Sequence, residues 1–128
     1  MIREFEHIDL RDRNSFHVAQ TAARLVEFET PDELRELFSA GAPRQWYVLG
    51  GGNNILFTRD YEGVLFCPVG EGITTLGEQG GTVRLRVEAG VEWDTLVTWS
   101  VERGLWGLGN LSLIPGKAGA GPVQNIGA

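Results

Sequence analysis

The chain has 128 residues, of which 42% are hydrophobic and 22% charged, the balance of an ordinary globular domain with material for a core of modest size. Its formal net charge of −6 and its single lysine, Lys117, argue against a sequence-independent grip on nucleic acid or on an anionic membrane surface, since both need clustered cations. Cys67 is the only cysteine, so no internal disulfide can form; it sits in the apolar run Val64-Leu65-Phe66-Cys67 and reads as a small buried hydrophobe in a reducing compartment.

The first residues, Met1-Ile2-Arg3-Glu4-Phe5-Glu6, are charged from the start and carry no export pattern, so a cytoplasmic location is expected. Arg24 to Glu29 reads as a strand, with Glu27 and Glu29 along its solvent face. A helix is then announced by Thr30-Pro31-Asp32-Glu33, where Thr30 caps, Pro31 occupies the first turn and Glu33 completes a capping box. Leu34, Leu37 and Phe38 line one face of that helix, and Gly41 lies just past its end. Trp46-Tyr47-Val48-Leu49 is a short apolar strand, which gives the order strand, helix, strand.

Val64-Leu65-Phe66 is a further strand, and Val83, Leu85 and Val87 alternate with Arg84, Arg86 and Glu88 in the period of a half-exposed one. Trp93, Leu96, Val97 and Val101 form a helical face, with Gly104 where that helix should stop. From Gly104 onward the chain is rich in glycine, proline and small residues. It nevertheless carries Leu105, Trp106, Leu108, Leu111, Leu113, Ile114, Val123 and Ile126, which want burial against something flat. Core packing is the better reading for Trp93, Trp99 and Trp106, because no basic residues interleave them as a nucleic-acid stacking platform would need.

Chemistry concentrates in two bare-backbone loops. Gly50-Gly51-Gly52 follows an apolar strand, so its N–H groups are uncovered by side chains and can converge on one anion, with Asn53 and Asn54 adding amide donors. The alternative is a plain tight turn. A dinucleotide fingerprint should open a helix, whereas Ile55-Leu56-Phe57 looks extended, so a Rossmann fold is disfavoured. Gly116-Lys117-Ala118 lacks the hydroxyl residue of a P-loop. The second loop, Ile114 to Pro122, repeats the character of the first, and two such loops can clamp one extended cofactor. Gln124 and Asn125 can offer donors and acceptors to a heteroaromatic edge, or else satisfy a turn of their own. His7 and His17 have no partners at ligand spacing, so no metal site is expected, and no pair of carboxylates makes a general acid; no catalytic residue is assigned.

Asn14-Ser15-Phe16, the run Tyr47 to Leu56 containing Gly50-Gly51-Gly52-Asn53-Asn54, and the stretch Leu111 to Ala128 together resemble the UDP-N-acetylenolpyruvoylglucosamine reductases (MurB), from about Asn14 to the last residue. The resemblance implies an α+β fold: the two-lobed FAD-binding domain of the vanillyl-alcohol-oxidase (PCMH) type. Residues 1–70 would form its small α/β first lobe and 71–128 the start of a second, incomplete lobe, with the substrate-binding C-terminal domain absent. It implies FAD as cofactor, held by Gly50, Gly51, Gly52, Asn53, Asn54 and Ile55 from the first lobe. From the second would come Ser112, Ile114, Pro115, Gly116, Gly119 and Ala120, with Gln124 and Asn125 beside the isoalloxazine. Asn53 stands where many members carry serine, exchanging a hydroxyl donor for an amide.

Under the same resemblance, NADPH supplies the hydride, and UDP-N-acetylglucosamine enolpyruvate becomes UDP-N-acetylmuramate for bacterial peptidoglycan. The family's proton-donating serine and its catalytic arginine and glutamate have no counterpart within these residues, so this chain alone is expected to be inactive. Nucleotide-sugar substrate would be met only through the absent part. The apolar surface of 105–128 is expected to favour self-association or a complementing chain. A non-catalytic flavin- or nucleotide-binding module is the alternative. A covalently tethered sugar-lactone or alcohol oxidase is weaker, because no histidine or cysteine lies between Gly50 and Arg59.

Overall fold

The computed structural model describes residues 1–124 and residue 126. The chain divides into two compact units, Met1–Val69 and Gly70–Ala128.

The first unit is built on a four-stranded sheet. Strands β1 (Arg3–Asp9), β2 (Thr21–Phe28), β3 (Trp46–Val48) and β4 (Tyr61–Pro68) lie in the order β1-β2-β4-β3, with helix α1 (Pro31–Phe38) between β2 and β3 in sequence. β1 runs antiparallel to β2, while β2 and β3 both run parallel to β4. Parallel strands need long crossovers and are buried on both faces, which is why the second halves of the central pair, Leu25-Val26 of β2 and Val64-Leu65-Phe66-Cys67 of β4, are apolar runs.

Opposite faces of that pair feed two cores. Leu25 of β2 with Leu65 and Cys67 of β4 point to one face and join Leu10, Ala22, Leu49 and Phe57. Val26, Phe28 and Phe66 point to the other, against Leu34, Leu37 and Phe38 of α1. The second face is extended by aromatic contacts of Phe38 with Trp46 and Phe66, at ring separations of 5.3 and 4.9 Å.

The capping box forms as its sequence predicts: the Thr30 hydroxyl accepts the Glu33 N–H, and the Glu33 carboxylate accepts the Thr30 N–H. The same carboxylate accepts the N–H of Glu29, which lies just past the end of β2. Glu27 corrects the solvent-face expectation. It is buried on the Leu25 side of the sheet, with Arg13 Nη1 donating to Oε1 at 2.8 Å and Arg3 Nη2 2.6 Å from Oε2. Arg13 satisfies Oε1 with a hydrogen bond, while the Arg3 guanidinium opposes the buried charge at Oε2 as an ion pair only.

The second unit begins with a hairpin. β5 (Ile73–Gln79) and β6 (Thr82–Val87) pair antiparallel through the two-residue turn Gly80-Gly81. Val83, Leu85 and Val87 are half-buried while Thr82, Arg84 and Arg86 are exposed, the expected alternation. Helix α2 (Trp93–Glu102) follows and ends where Gly104 predicts: Leu105 N–H donates to Ser100 O and Gly104 N–H to Val101 O, the paired bonds of a Schellman motif.

The apolar face of α2 differs from its sequence reading. Leu96, Val97 and Ser100 are buried, whereas Val101 is exposed; the buried Ser100 hydroxyl donates back to Val97 O, so a polar residue is accommodated without a lost hydrogen bond. Core packing fails for Trp106, which is 98% exposed, and Trp99 instead lies under the Arg103 guanidinium at 4.0 Å, a cation–π contact.

Candidate functional site

In the first unit the glycine run is the exit from β3. Leu49 N–H still donates to Phe66 O, and its side chain is in the core, so the chain is fixed to the sheet up to the residue before Gly50. Beyond the run, Ile55 packs against the same core and Phe57 is buried within it. The loop is therefore anchored at both ends and lies at the carboxyl end of a parallel strand, the place where open α/β sheets take their ligands. Residues 55–57 adopt no helix.

Gly52 is seated against a second segment. Its φ is +70°, and a Cβ there would stand 2.0 Å from the carbonyl oxygen of Arg13, so only glycine fits. Ser15 N–H donates to Gly52 O at 3.0 Å, and the Ser15 hydroxyl donates to Asn53 Oδ1 at 2.6 Å. That segment is held in turn by the buried Asn14, whose Nδ2 donates to Leu10 O and Val18 O and whose Oδ1 accepts the Val18 N–H.

The backbone N–H groups from Gly50 to Asn54 donate to no acceptor among the described residues. They are left as neutral donors on a braced loop, the kind of group that suits a multiply charged anion with several acceptor oxygens. A shallow open groove lined by Arg24, Arg44, Gln45 and Glu62 lies elsewhere on this unit and shares no residue with the run.

In the second unit the loop expected from Ser112 to Ala120 is ordered by α2 and the residues just before it. Trp93 Nε1 donates to Leu111 O, Asp94 Oδ1 accepts the Leu113 N–H, and Trp93 N–H donates to Gly116 O. Leu113 is held at φ +62°, a conformation costly for a branched side chain, and that side chain is 85% exposed.

Ala118 N–H donates to Val91 O and Gly119 N–H to Ala89 O, while a Cβ on Gly119 would meet the Ala89 Cβ at 2.6 Å. Lys117 pairs with Glu92 at 2.6 Å. Among the predicted cofactor residues here, Gly119 and Ala120 thus commit their N–H groups within the loop, to Ala89 O and Lys117 O respectively. Those of Ser112, Ile114 and Gly116 have no acceptor among the described residues. Pro115 O accepts a bond from Gln124 Nε2 at 3.3 Å, which leaves the Gln124 carbonyl oxygen as its remaining polar end; Asn125 lies outside the described residues.

The turn around Asn14 and Ser15 was named by the sequence only as part of a resemblance and given no role. Asn14 has local partners, Leu10 and Val18, but the role of Ser15 has no local signal, because its partners are Gly52 and Asn53.

Comparison with known proteins gives this geometry a context. UDP-N-acetylenolpyruvoylglucosamine reductase of Bacteroides fragilis strain YCH46 is 43% identical over 120 residues, covering 93% of this chain and 36% of the relative. The reductase of the same name from Pseudomonas aeruginosa PAO1 is 41% identical over 125 residues, covering 96% and 37%. The chain thus spans little more than a third of the length of these curated relatives. The crystal structure of UDP-N-acetylenolpyruvylglucosamine reductase (MurB) from Thermus caldophilus superposes with a TM-score of 0.66 at 25% identity, covering 94% of this chain and 40% of that one. The α+β architecture is therefore that of the corresponding part of a MurB. The model of the FAD binding domain matches residues 22–128, most of the chain. The chain belongs to the FAD-binding domain family.

Proposed function

We propose that this chain is the FAD-holding portion of a UDP-N-acetylenolpyruvoylglucosamine reductase, an enzyme of bacterial peptidoglycan synthesis. The observation that carries the reading is the 43% identity to such a reductase along 93% of the chain. The relatives' remaining two thirds would supply the substrate-binding domain and the groups that protonate and stabilise the reacting sugar. This chain by itself would then bind cofactor without turnover. NADPH as hydride donor, a cytoplasmic location and self-association through 105–128 belong to the same proposal. Among the described residues no helix is long and apolar enough to cross a membrane.

The donor set fits FAD. A diphosphate needs several N–H donors on a rigid backbone, and Gly50 to Asn54 offer free donors around Gly52, which no other residue could replace. Ile55 follows them as the anchor into the core. In the second unit Ser112, Ile114 and Gly116 would contribute further N–H groups. Gly119 and Ala120 would act by keeping that backbone in shape, with Pro115, Gln124 and Asn125 toward the ring. When bound, the flavin supplies hydride transfer. The work of this chain's own residues is to bind it, to orient it and to keep the phosphates in place without a charged side chain on the run.

The test is an absorbance and fluorescence titration of the purified chain with FAD. Saturable quenching at stoichiometric FAD is the expected result. A chain that stays colourless at high FAD overturns the cofactor-holding role, and turnover of substrate by the chain alone overturns its confinement to that role.

A further inference from the structure

Ser15 touches the glycine run in two ways. Its N–H is bonded to Gly52 O at 3.0 Å, and its hydroxyl to Asn53 Oδ1 at 2.6 Å. The first bond braces the backbone. The second does something a brace does not need, because it chooses which end of the Asn53 amide remains for a ligand. A primary amide has one acceptor end and one end with two donors, and its terminal torsion is broad and roughly two-fold, so an unrestrained asparagine presents either end at little cost. With Oδ1 occupied by the serine hydroxyl, Nδ2 is the end left over, and it has no acceptor among the described residues.

The serine is itself well placed to impose that choice. Asn14, buried and bonded through both of its side-chain polar atoms to the backbone of Leu10 and Val18, fixes the turn from which Ser15 projects. Arg13 ties the same turn to the sheet through Glu27. Its guanidinium is occupied there and against the Phe5 ring, at 5.6 Å.

Resting on the FAD-holding role above, we propose that Ser15 is a positioning residue for the anionic part of the ligand. By capturing the Asn53 carbonyl oxygen, it turns the Asn53 Nδ2 group into the same row of donors as the backbone N–H groups of Gly50 to Asn54. Without it, the carbonyl end of Asn53 is free to face the diphosphate, where two negative ends would oppose each other. The site owes its preference for an anion to an oriented dipole here, where a lysine or arginine would have served by charge alone.

The experiment uses the full chain, FAD as the probe and three variants, two at Ser15 and one at Asn53. Ser15→Ala is expected to weaken FAD by roughly fivefold to tenfold, the equivalent of one neutral hydrogen bond. Ser15→Thr keeps the hydroxyl and should retain wild-type affinity. Asn53→Asp preserves shape while replacing the donor end with negative charge, and should weaken FAD by on the order of 100-fold. In amide NMR spectra, the Asn53 Nδ2 protons should shift on FAD addition in the wild type and not in Ser15→Ala. A merely structural serine would leave that signature in place.

Wild-type affinity in Ser15→Ala or in Asn53→Asp overturns the inference while leaving FAD binding intact. Failure of the wild-type chain to bind FAD overturns the cofactor-holding role itself and the inference with it.

Discussion

The two units use apolar residues in opposite ways. Met1–Val69 places its hydrophobic side chains on both faces of the central β2 and β4 pair, so that Leu10, Ala22, Leu25 and Leu65 are wholly removed from water. Gly70–Ala128 carries a hairpin whose β5 is exposed nearly throughout, and it buries little beyond Val91, Leu96, Val97 and Ser100. Its Trp106, Leu113 and Val123 are 98%, 85% and 89% exposed. The first unit is held by burial. The second is held by hydrogen bonds between α2, the residues before it and the segment 111–121, a framework that fixes backbone shape without a core. A two-stranded hairpin is marginal by itself in water, so the second unit should be the more easily perturbed of the two.

The largest effect should come from equivalent truncations in the two units. Leu65→Ala removes a side chain with no exposure and should cost about 2–5 kcal/mol, whereas Leu76→Ala, at a position 49% exposed in β5, should stay within about 0.5 kcal/mol. Urea unfolding followed by far-UV circular dichroism reads both. Similar costs at the two positions would break the contrast.

Glycine substitution sharpens it. Gly52→Ala meets Arg13 O and a positive φ together, and should cost more than about 1 kcal/mol and abolish tight FAD binding. Gly81→Ala meets only the positive φ, with nothing within 4 Å, and should cost about 1 kcal/mol or less. Thermal unfolding with and without FAD separates the two terms.

A further effect is a titration confined to the first unit and seen only at alkaline pH. Burial pushes the Cys67 thiol from 9.0 up to about 12, with the Arg13 charge opposing and Glu27 reinforcing the shift. A folded-state pKa raised above the unfolded value gives stability that is complete below pH 9 and is lost as the pH rises toward 12. Urea unfolding at a series of alkaline pH values should therefore report a weakening over that interval, and Cys67→Ala should flatten its pH dependence.

The sequence was most readable where the physics is local. Thr30 and Glu33 announce α1 because both ends of the capping box lie within one turn, and Gly104 marks the end of α2 for the same reason. β1 gave no strand signal because its period is broken. His7 takes φ +49° in mid-strand without shifting the register to β2, and Phe5 and Ile8, three apart, both pack against the core. β5 was silent because Ile73-Thr74-Thr75-Leu76-Gly77-Glu78-Gln79 buries no face. Glu27 and Trp106 misled for one reason: burial of a charge or exposure of an indole depends on what lies across space, here Arg3 and Arg13 in the first case. At the site, the glycine run was visible as bare backbone. The seat of Gly52 on Arg13 and the bond from Ser15 to Asn53 join segments nearly forty residues apart, a distance over which local pattern carries no information.

The parallel pairing of β2 with β4 bears on how the molecule is made. Ala22 lies opposite Tyr61 and Phe28 opposite Pro68, so this ladder closes only after a long intervening stretch has been threaded, which is the costly kind of contact in a folding reaction. The glycine run lies inside that stretch, and its seat on the Arg13 turn exists only when the threading is complete. Ligand that recognises the finished loop binds the native chain and not its precursors, and so draws the folding equilibrium forward by mass action. FAD supplied during refolding should accordingly raise the yield of native protein even if it leaves the early steps of collapse untouched.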